Sequence, residues 1–291
     1  MYRSIFAQGL FKDRVVIVTG GGSGIGRCTA HELAALGAVV ALIGRTHAKL
    51  DAVVAEIAAA GGRAEAWACN IRDEDAVKET VMHIVARHGR VDALVNNAGG
   101  QFPAQLKDIS QKGWEAVVQT NLTGGFLMAR ECLNQSMQFN GGAIVNIVAD
   151  MWGSMPNMGH SGAARAGMVN FTETAAFEWA QYGVRVNAVA PGYIASSGMD
   201  AYPPAMRETI RAFPDTVPLK RFGTEAEVSA AIVFLLSPAA AFISGTTLRV
   251  DGGRPNVRPG MPMPALSNPA PAFDGFHLAA SPNVLQGEGE D

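Results

Sequence analysis

The chain has 291 residues, 48% hydrophobic and 17% charged, which is enough for one large core and too apolar for a disordered protein. A formal net charge of -3, with no long basic run, argues against nucleic acid and against an anionic membrane surface as partners. Cys28, Cys69 and Cys132 stand far apart without a CxxC pair, so neither a disulfide framework nor a metal site is expected.

No long apolar stretch precedes Asp13 and Arg14, and the apolar runs at 38–43 and 230–236 are too short to span a membrane. The final Gly287-Glu288-Gly289-Glu290-Asp291 is not a Ser-Lys-Leu address. The expectation is a cytoplasmic protein. From residue 15 onward, short β-branched runs alternate with longer stretches of helical spacing. Strands are expected at 15–18, 39–43, 91–95, 143–148, 184–189 and 247–250, each apolar without strict alternation, as in parallel strands covered on both faces. Helices are expected at 24–36, 46–60, 73–88, 112–137, 161–181 and 224–236; in the first, Ile25, Thr29, Leu33 and Leu36 share a face. This order predicts a single α/β domain over 11–253, a doubly wound, Rossmann-like parallel sheet with right-handed crossovers. The remainder, 254–291, holds seven of the fifteen prolines and no helical period. It reads as a tail or arm, either disordered or packed over a neighbouring subunit or the active site through Phe273, Phe276 and Leu278.

The strongest local signal is Thr19-Gly20-Gly21-Gly22-Ser23-Gly24-Ile25-Gly26, set between the first strand and the first helix. Glycines let the backbone approach a pyrophosphate closely, and a helix start offers it unpaired N–H groups and a positive dipole end. The second strand ends in Ile43-Gly44-Arg45, where an NAD-binding chain would offer a carboxylate to the ribose diol. Arg45 suits the 2′-phosphate of NADP instead, so NADP(H) is the expected cofactor.

The glycine turn, then Asn96-Asn97-Ala98-Gly99, then Pro191-Gly192, resembles the short-chain dehydrogenase/reductase family over about residues 11–253. The resemblance implies that Asn97, Ala98 and Gly99 flank the adenine ribose, that Asn70 and Ile71 touch the adenine, and that Ile194 and Ser196 hold the nicotinamide carboxamide. It also implies a homo-oligomer, commonly a tetramer. Family members normally use Ser, Tyr, Lys and Asn. Here Asn121 matches the Asn, but Ser161 stands at the Tyr position, Arg165 at the Lys position, and Val148 or Ala149 at the Ser position. A serine hydroxyl is a far weaker acid than a phenol, and an arginine does not release a proton. Ordinary alcohol oxidation is therefore compromised. Hydride delivery beside a fixed positive charge suits reduction of a C=C bond conjugated to a thioester, where charge develops on an enolate oxygen.

The run His160-Ser161-Gly162-Ala163-Ala164-Arg165-Ala166-Gly167, with Gly99-Gly100-Gln101-Phe102, resembles peroxisomal-type trans-2-enoyl-CoA reductases, and 2,4-dienoyl-CoA reductases more loosely. One departure is Val169, at a position where those reductases carry a tyrosine. His160, Asp150 and Tyr193 are the other candidates for proton transfer; a solvent-facing histidine, a capping carboxylate and a packed ring are the plainer alternatives. Met151, Trp152, Met155, Met158, Met199 and Met206 fall on two segments expected to face the cofactor, and as a group suit an apolar acyl or terpenoid substrate. Three functions follow: an enoyl-thioester reductase, an alcohol or aldehyde dehydrogenase for an apolar or terpenoid substrate, and an NADPH-binding protein that no longer catalyses.

Overall fold

The computed structural model describes residues 1–263 and 265–286. The terminal residues 287–291 read above lie outside them. Among the described residues nine strands form: β1 (Val15–Thr19), β2 (Val39–Gly44), β3 (Arg63–Ala68), β4 (Ala93–Asn96), β5 (Gly142–Ile147), β6 (Val184–Pro191), β7 (Ile194–Ala195), β8 (Gly223–Thr224) and β9 (Thr247–Val250). Seven of them make one parallel sheet in the order β3-β2-β1-β4-β5-β6-β9. The order reverses beside β1, so a crevice opens at the carboxyl ends of β1 and β4, where doubly wound sheets take their ligands.

The helices are α1 (Gly24–Ala35), α2 (His47–Ala59), α3 (Glu74–His88), α4 (Gln111–Val118), α5 (Gly124–Cys132), α6 (Gln138–Asn140), α7 (Gly159–Glu178), α8 (Arg207–Arg211) and α9 (Glu225–Leu236). The stretch expected as one helix at 112–137 runs continuously from α4 to α6 through two wider π-turns, Gln119–Thr123 and Leu133–Met137. The first π-turn carries Asn121, as such bulges often carry functional side chains.

Pleating sends alternate β1 residues to opposite faces of the sheet. Val16 and Val18 join Leu33, Leu42, Leu50 and Ile232 in one core, while Val15 and Ile17 join Val81, Leu94, Met128 and Val186 in the other. Burial of each such side chain contributes about 1.5–3 kcal/mol, so the sheet forms a rigid base for the loops at its carboxyl edge. A buried polar chain ties this edge together: Asn96 donates to the Gly125 carbonyl and to the Asn146 side chain, both at 2.9 Å, and Asn146 donates to Thr172 at 2.9 Å.

Two strand features escape the sequence pattern. β3 reads Arg-Ala-Glu-Ala-Trp-Ala and is an edge strand only half buried, so it has neither an apolar run nor a β-branched residue. β7 and β8 are two residues each and pair with one another outside the main sheet. After Arg254 the chain turns back over its own body. Phe276, 2% exposed, sits among Tyr2, Cys28 and Ala226, with Phe273 and Leu278 packed alongside. Arg211 donates to the carbonyls of Val284 and Gln286. Among the described residues no helix is long and apolar enough to cross a membrane, and no cluster of His, Cys, Asp and Glu is arranged to hold a metal.

Candidate functional site

The glycine turn leaves β1 at Gly20, whose φ of +66° is a conformation that side chains rarely tolerate. A Cβ on Gly26 would collide with the Gly20 carbonyl and the Asn97 amide, so α1 starts this close to β4 only because residue 26 has no side chain. Thr19, 1% exposed, braces the turn: its hydroxyl accepts from the N–H groups of Asn97 (3.0 Å) and Ala98 (2.9 Å). Asn97 donates back to the Thr19 carbonyl at 3.0 Å. Ser23 is the residue before α1, extended at φ −164°, and its side chain makes no capping bond. Ile25 packs against the core, and Ser196 approaches Gly24 from the segment after β7. Glu225, on the first turn of α9, also faces Gly24, and burial raises its carboxyl to about 7 against the partial relief of Arg27.

Arg45 is exposed at the end of β2 and has no ion-pair partner among the described residues. At the end of β3, Asn70 is exposed and its side-chain oxygen accepts from Arg72 at 3.2 Å, while Ile71 is buried against Gly124. On the other side of the crevice, Pro191 ends β6, Gly192 lies against the Asp251 backbone, and Ile194 is buried.

Four side chains expected at the reacting centre gather between β4, α5 and the start of α7. Asn121, 2% exposed, grips the Gly100 backbone with both ends: its oxygen accepts from the Gly100 N–H and its amide donates to the Gly100 carbonyl, each at 2.9 Å. That leaves its amide oriented toward the loop after β4. Ser161 is fully buried and donates to Oε1 of Gln101 at 2.7 Å; Gln101 Nε2 donates to the Tyr202 hydroxyl at 2.6 Å. Arg165, one turn further along α7, donates to the Ile147 carbonyl and lies directly beneath Gly99. It meets no carboxylate among the described residues, and burial pulls it down to about 10, still charged at neutral pH. His160 is fully buried, which rules out the solvent-facing alternative. Its Nδ1 accepts from the Ser161 N–H at 2.8 Å, its ring stands edge-on to Phe102 at 4.5 Å, and Nε2 has no partner among the described residues.

The other candidates face elsewhere. Asp150 lies 3.5 Å from Arg254, and burial raises its carboxyl. Tyr193 stacks flat on Phe213 at 4.0 Å with Arg254 over its ring, beside a cavity of about 180 Å³ lined by Ile194, Val217, Leu219 and Val250. Met199 is buried; Met151, Met155, Met158 and Met206 are half-buried, and Trp152 is exposed beneath Arg249. Sequence reasoning assigned no role to Gln101, Tyr202 or Glu225. A phenol among the methionines of the 196–206 segment was the available signal for Tyr202, while the other two emerge only when distant segments meet.

A parallel sheet that reverses order beside a glycine turn, with that turn opening the first helix, defines a dinucleotide-binding oxidoreductase architecture. Residues 20–254 match the family model described as Enoyl-(Acyl carrier protein) reductase. The chain is 36% identical over 249 residues to a probable 2,4-dienoyl-CoA reductase of Bacillus subtilis, covering 84% of this chain and 97% of the relative. It is 42% identical over 246 residues to a 3-oxoacyl-[acyl-carrier-protein] reductase of Synechocystis, covering 82% and 96%. The structure of a citronellol catabolism dehydrogenase of Pseudomonas aeruginosa is similar with a TM-score of 0.79 and 60% identity, covering 87% of this chain and 99% of that one. The chain belongs to the short-chain dehydrogenase/reductase family. The relatives named here include a dienoyl-CoA reductase, a 3-oxoacyl-[acyl-carrier-protein] reductase and a citronellol catabolism dehydrogenase, a wider field than the enoyl-CoA reductases alone.

Proposed function

We propose that this chain is an NADP(H)-dependent reductase that adds hydride to the β-carbon of an α,β-unsaturated thioester carrying an apolar chain. The carrying observation is Arg165: a buried cation without a carboxylate beside a buried serine. An isolated buried charge costs several kcal/mol, and that cost is offset when an oxygen gaining negative charge arrives next to it. An enolate oxygen, formed as hydride reaches the β-carbon, is such a group.

The residues fit the cofactor. Thr19, Gly20, Ser23, Gly24, Ile25 and Gly26 form the pyrophosphate turn, and Arg45 supplies the charge for the 2′-phosphate. Asn70, Ile71, Asn97, Ala98 and Gly99 would border the adenosine, and Pro191, Gly192, Ile194 and Ser196 would border the nicotinamide. When bound, NADPH supplies the hydride. Arg165 serves both the nicotinamide ribose and the substrate oxygen, Ser161 spends its one hydroxyl hydrogen on Gln101 and so fixes that side chain beside the site, and Asn121 positions the loop that carries Gly100 and Gln101. His160 orients the start of α7 through Ser161. The methionines of the two flanking segments and Phe102 supply an apolar wall.

Exposed Trp114, Phe126 and Phe177 on α4, α5 and α7 support association of subunits through these helices, with a homotetramer as the family expectation. The test is NADPH oxidation followed by absorbance with trans-2-enoyl-CoA thioesters of graded length, where turnover is expected; no turnover at any length counts against the proposal. A second reading, interconversion of an apolar terpenoid alcohol and its carbonyl, is favoured by the 60% identity to the citronellol catabolism dehydrogenase. Turnover confined to such alcohols or aldehydes would select it.

A further inference from the structure

Reduction of a conjugated C=C bond needs a proton as well as a hydride, and neither Ser161 nor Arg165 is a suitable acid at neutral pH. The other candidates are turned away from the site or shut off from solvent. Asp150 is turned to Arg254, and Tyr193 is sandwiched between Phe213 and Arg254. The His160 ring is edge-on to Phe102 with Nδ1 fixed by the Ser161 N–H, and its Nε2, without a partner among the described residues, is fully buried and has no exposed route by which to regain a proton. One phenol is linked to Ser161 through a single intervening side chain. Tyr202 follows the turn Ser197–Ala201, on the segment that also brings Met199 and Met206, and its oxygen lies 2.6 Å from Nε2 of Gln101. Gln101 in turn holds the Ser161 hydroxyl at 2.7 Å through its other end.

The direction of these bonds matters. Gln101 accepts from Ser161 through its oxygen, so its amide nitrogen faces the phenol and donates to it. Tyr202 therefore has no need of its own hydrogen in this contact, and that hydrogen has no acceptor among the described residues. A donor aimed at the phenol oxygen also stabilises the phenolate left after proton transfer. Tyr202 is half-buried, so a proton can be replaced from solvent.

We propose that Tyr202 is the proton donor of this site, carried there by the stretch after Ser197–Ala201 and aligned by Gln101. The assignment rests on the reductase reading above. Hydride forms the new C–H bond at the β-carbon, and the electron pair of the C=C bond moves onto the enolate oxygen held by Arg165. The Tyr202 O–H bond then breaks, its proton forms the C–H bond at the α-carbon, and the phenolate recovers a proton from water. The phenol shares its segment with Met199 and Met206, so the acid and the apolar side chains are placed by the same stretch of chain.

The test is Tyr202→Phe, which keeps the ring and removes only the hydroxyl, assayed beside wild type with the enoyl-CoA and terpenoid panels. Expected is a loss of about 100-fold in kcat with the solvent isotope effect increased, while NADPH affinity by fluorescence titration stays within about twofold. Gln101→Leu, a second variant that keeps the Tyr202 phenol and removes its aligning amide, should lower kcat about tenfold with the same unchanged NADPH affinity. Wild-type kcat in Tyr202→Phe overturns the assignment and leaves the reductase reading standing. A loss of kcat matched by an equal loss of NADPH affinity also overturns it, because that marks a structural role. Silence of the wild-type protein on both panels overturns the reading and the assignment together.

Discussion

Replacing Arg165 by methionine, which keeps most of the length and removes the charge, separates stability from catalysis. The fall of the guanidinium from its ordinary value to about 10 corresponds to about 3 kcal/mol, at about 1.4 kcal/mol per tenfold change in proton affinity. Burial disfavours the charged form, so at neutral pH, below both the folded and unfolded values, the whole penalty is present; it fades only as the pH rises through about 10 and beyond. Against this, the bond to the Ile147 carbonyl is lost, at about 1–3 kcal/mol for a buried acceptor left without a partner. The net expectation is an unchanged or slightly raised stability, by about 0–2 kcal/mol, read as the midpoint of urea unfolding at pH 7. Turnover should fall by about 100-fold or more, as when a donor to a developing oxyanion is removed. A variant destabilised by about 3 kcal/mol or more would refute the reasoning, since the guanidinium would then be a structural strut. So would a variant that unfolds like wild type and retains wild-type turnover.

Arg45→Ala should weaken NADPH about tenfold while leaving NADH within about twofold, because one exposed charge-assisted contact to the 2′-phosphate is removed; equal losses for both cofactors in titration would exclude Arg45 from that role. Glu225 faces the pyrophosphate turn with its carboxyl raised to about 7, so it is mostly protonated below that value and ionised above it. Its ionised form should repel the cofactor, raising the NADPH Kd about fivefold between about pH 6 and pH 8, an effect of about 1 kcal/mol. The same sign holds for folding: any stability from the protonated carboxyl is complete below the unfolded value and is lost as the pH rises through about 7. Glu225→Gln should flatten the Kd profile; a profile of wild-type slope in that variant would remove Glu225 from consideration.

The parts of the protein that obey a period or a local rule were legible in the chain itself. The strands β1, β2, β4, β5, β6 and β9 announced themselves as apolar runs, and Gly20 to Gly26 announced a turn because its glycines fall between a strand and a helix. β3 was hidden because an edge strand exposed on one side tolerates Ala, Glu and Arg in place of a β-branched run. The C-terminal anchors Phe273, Phe276 and Leu278 were visible as apolar residues in a polar stretch, but their seat beside Tyr2 and Cys28 depends on contacts across nearly the whole chain. The site divides in the same way. Ser161 and Arg165 share a helix face at a fixed spacing and could be paired by counting residues. The link from Ser161 through Gln101 to Tyr202 joins three segments, and no spacing rule connects them.

The central claim, hydride addition to a β-carbon beside Arg165, is tested most directly by following the label from NADPH deuterated at nicotinamide C4 into the product of a trans-2-enoyl-CoA, with mass spectrometry locating the deuterium. The account predicts deuterium at C3 of a saturated acyl thioester and a solvent-derived hydrogen at C2, with Arg165→Met yielding little product. Deuterium on a carbinol carbon, or tight NADPH binding with no labelled product from any thioester, would contradict it.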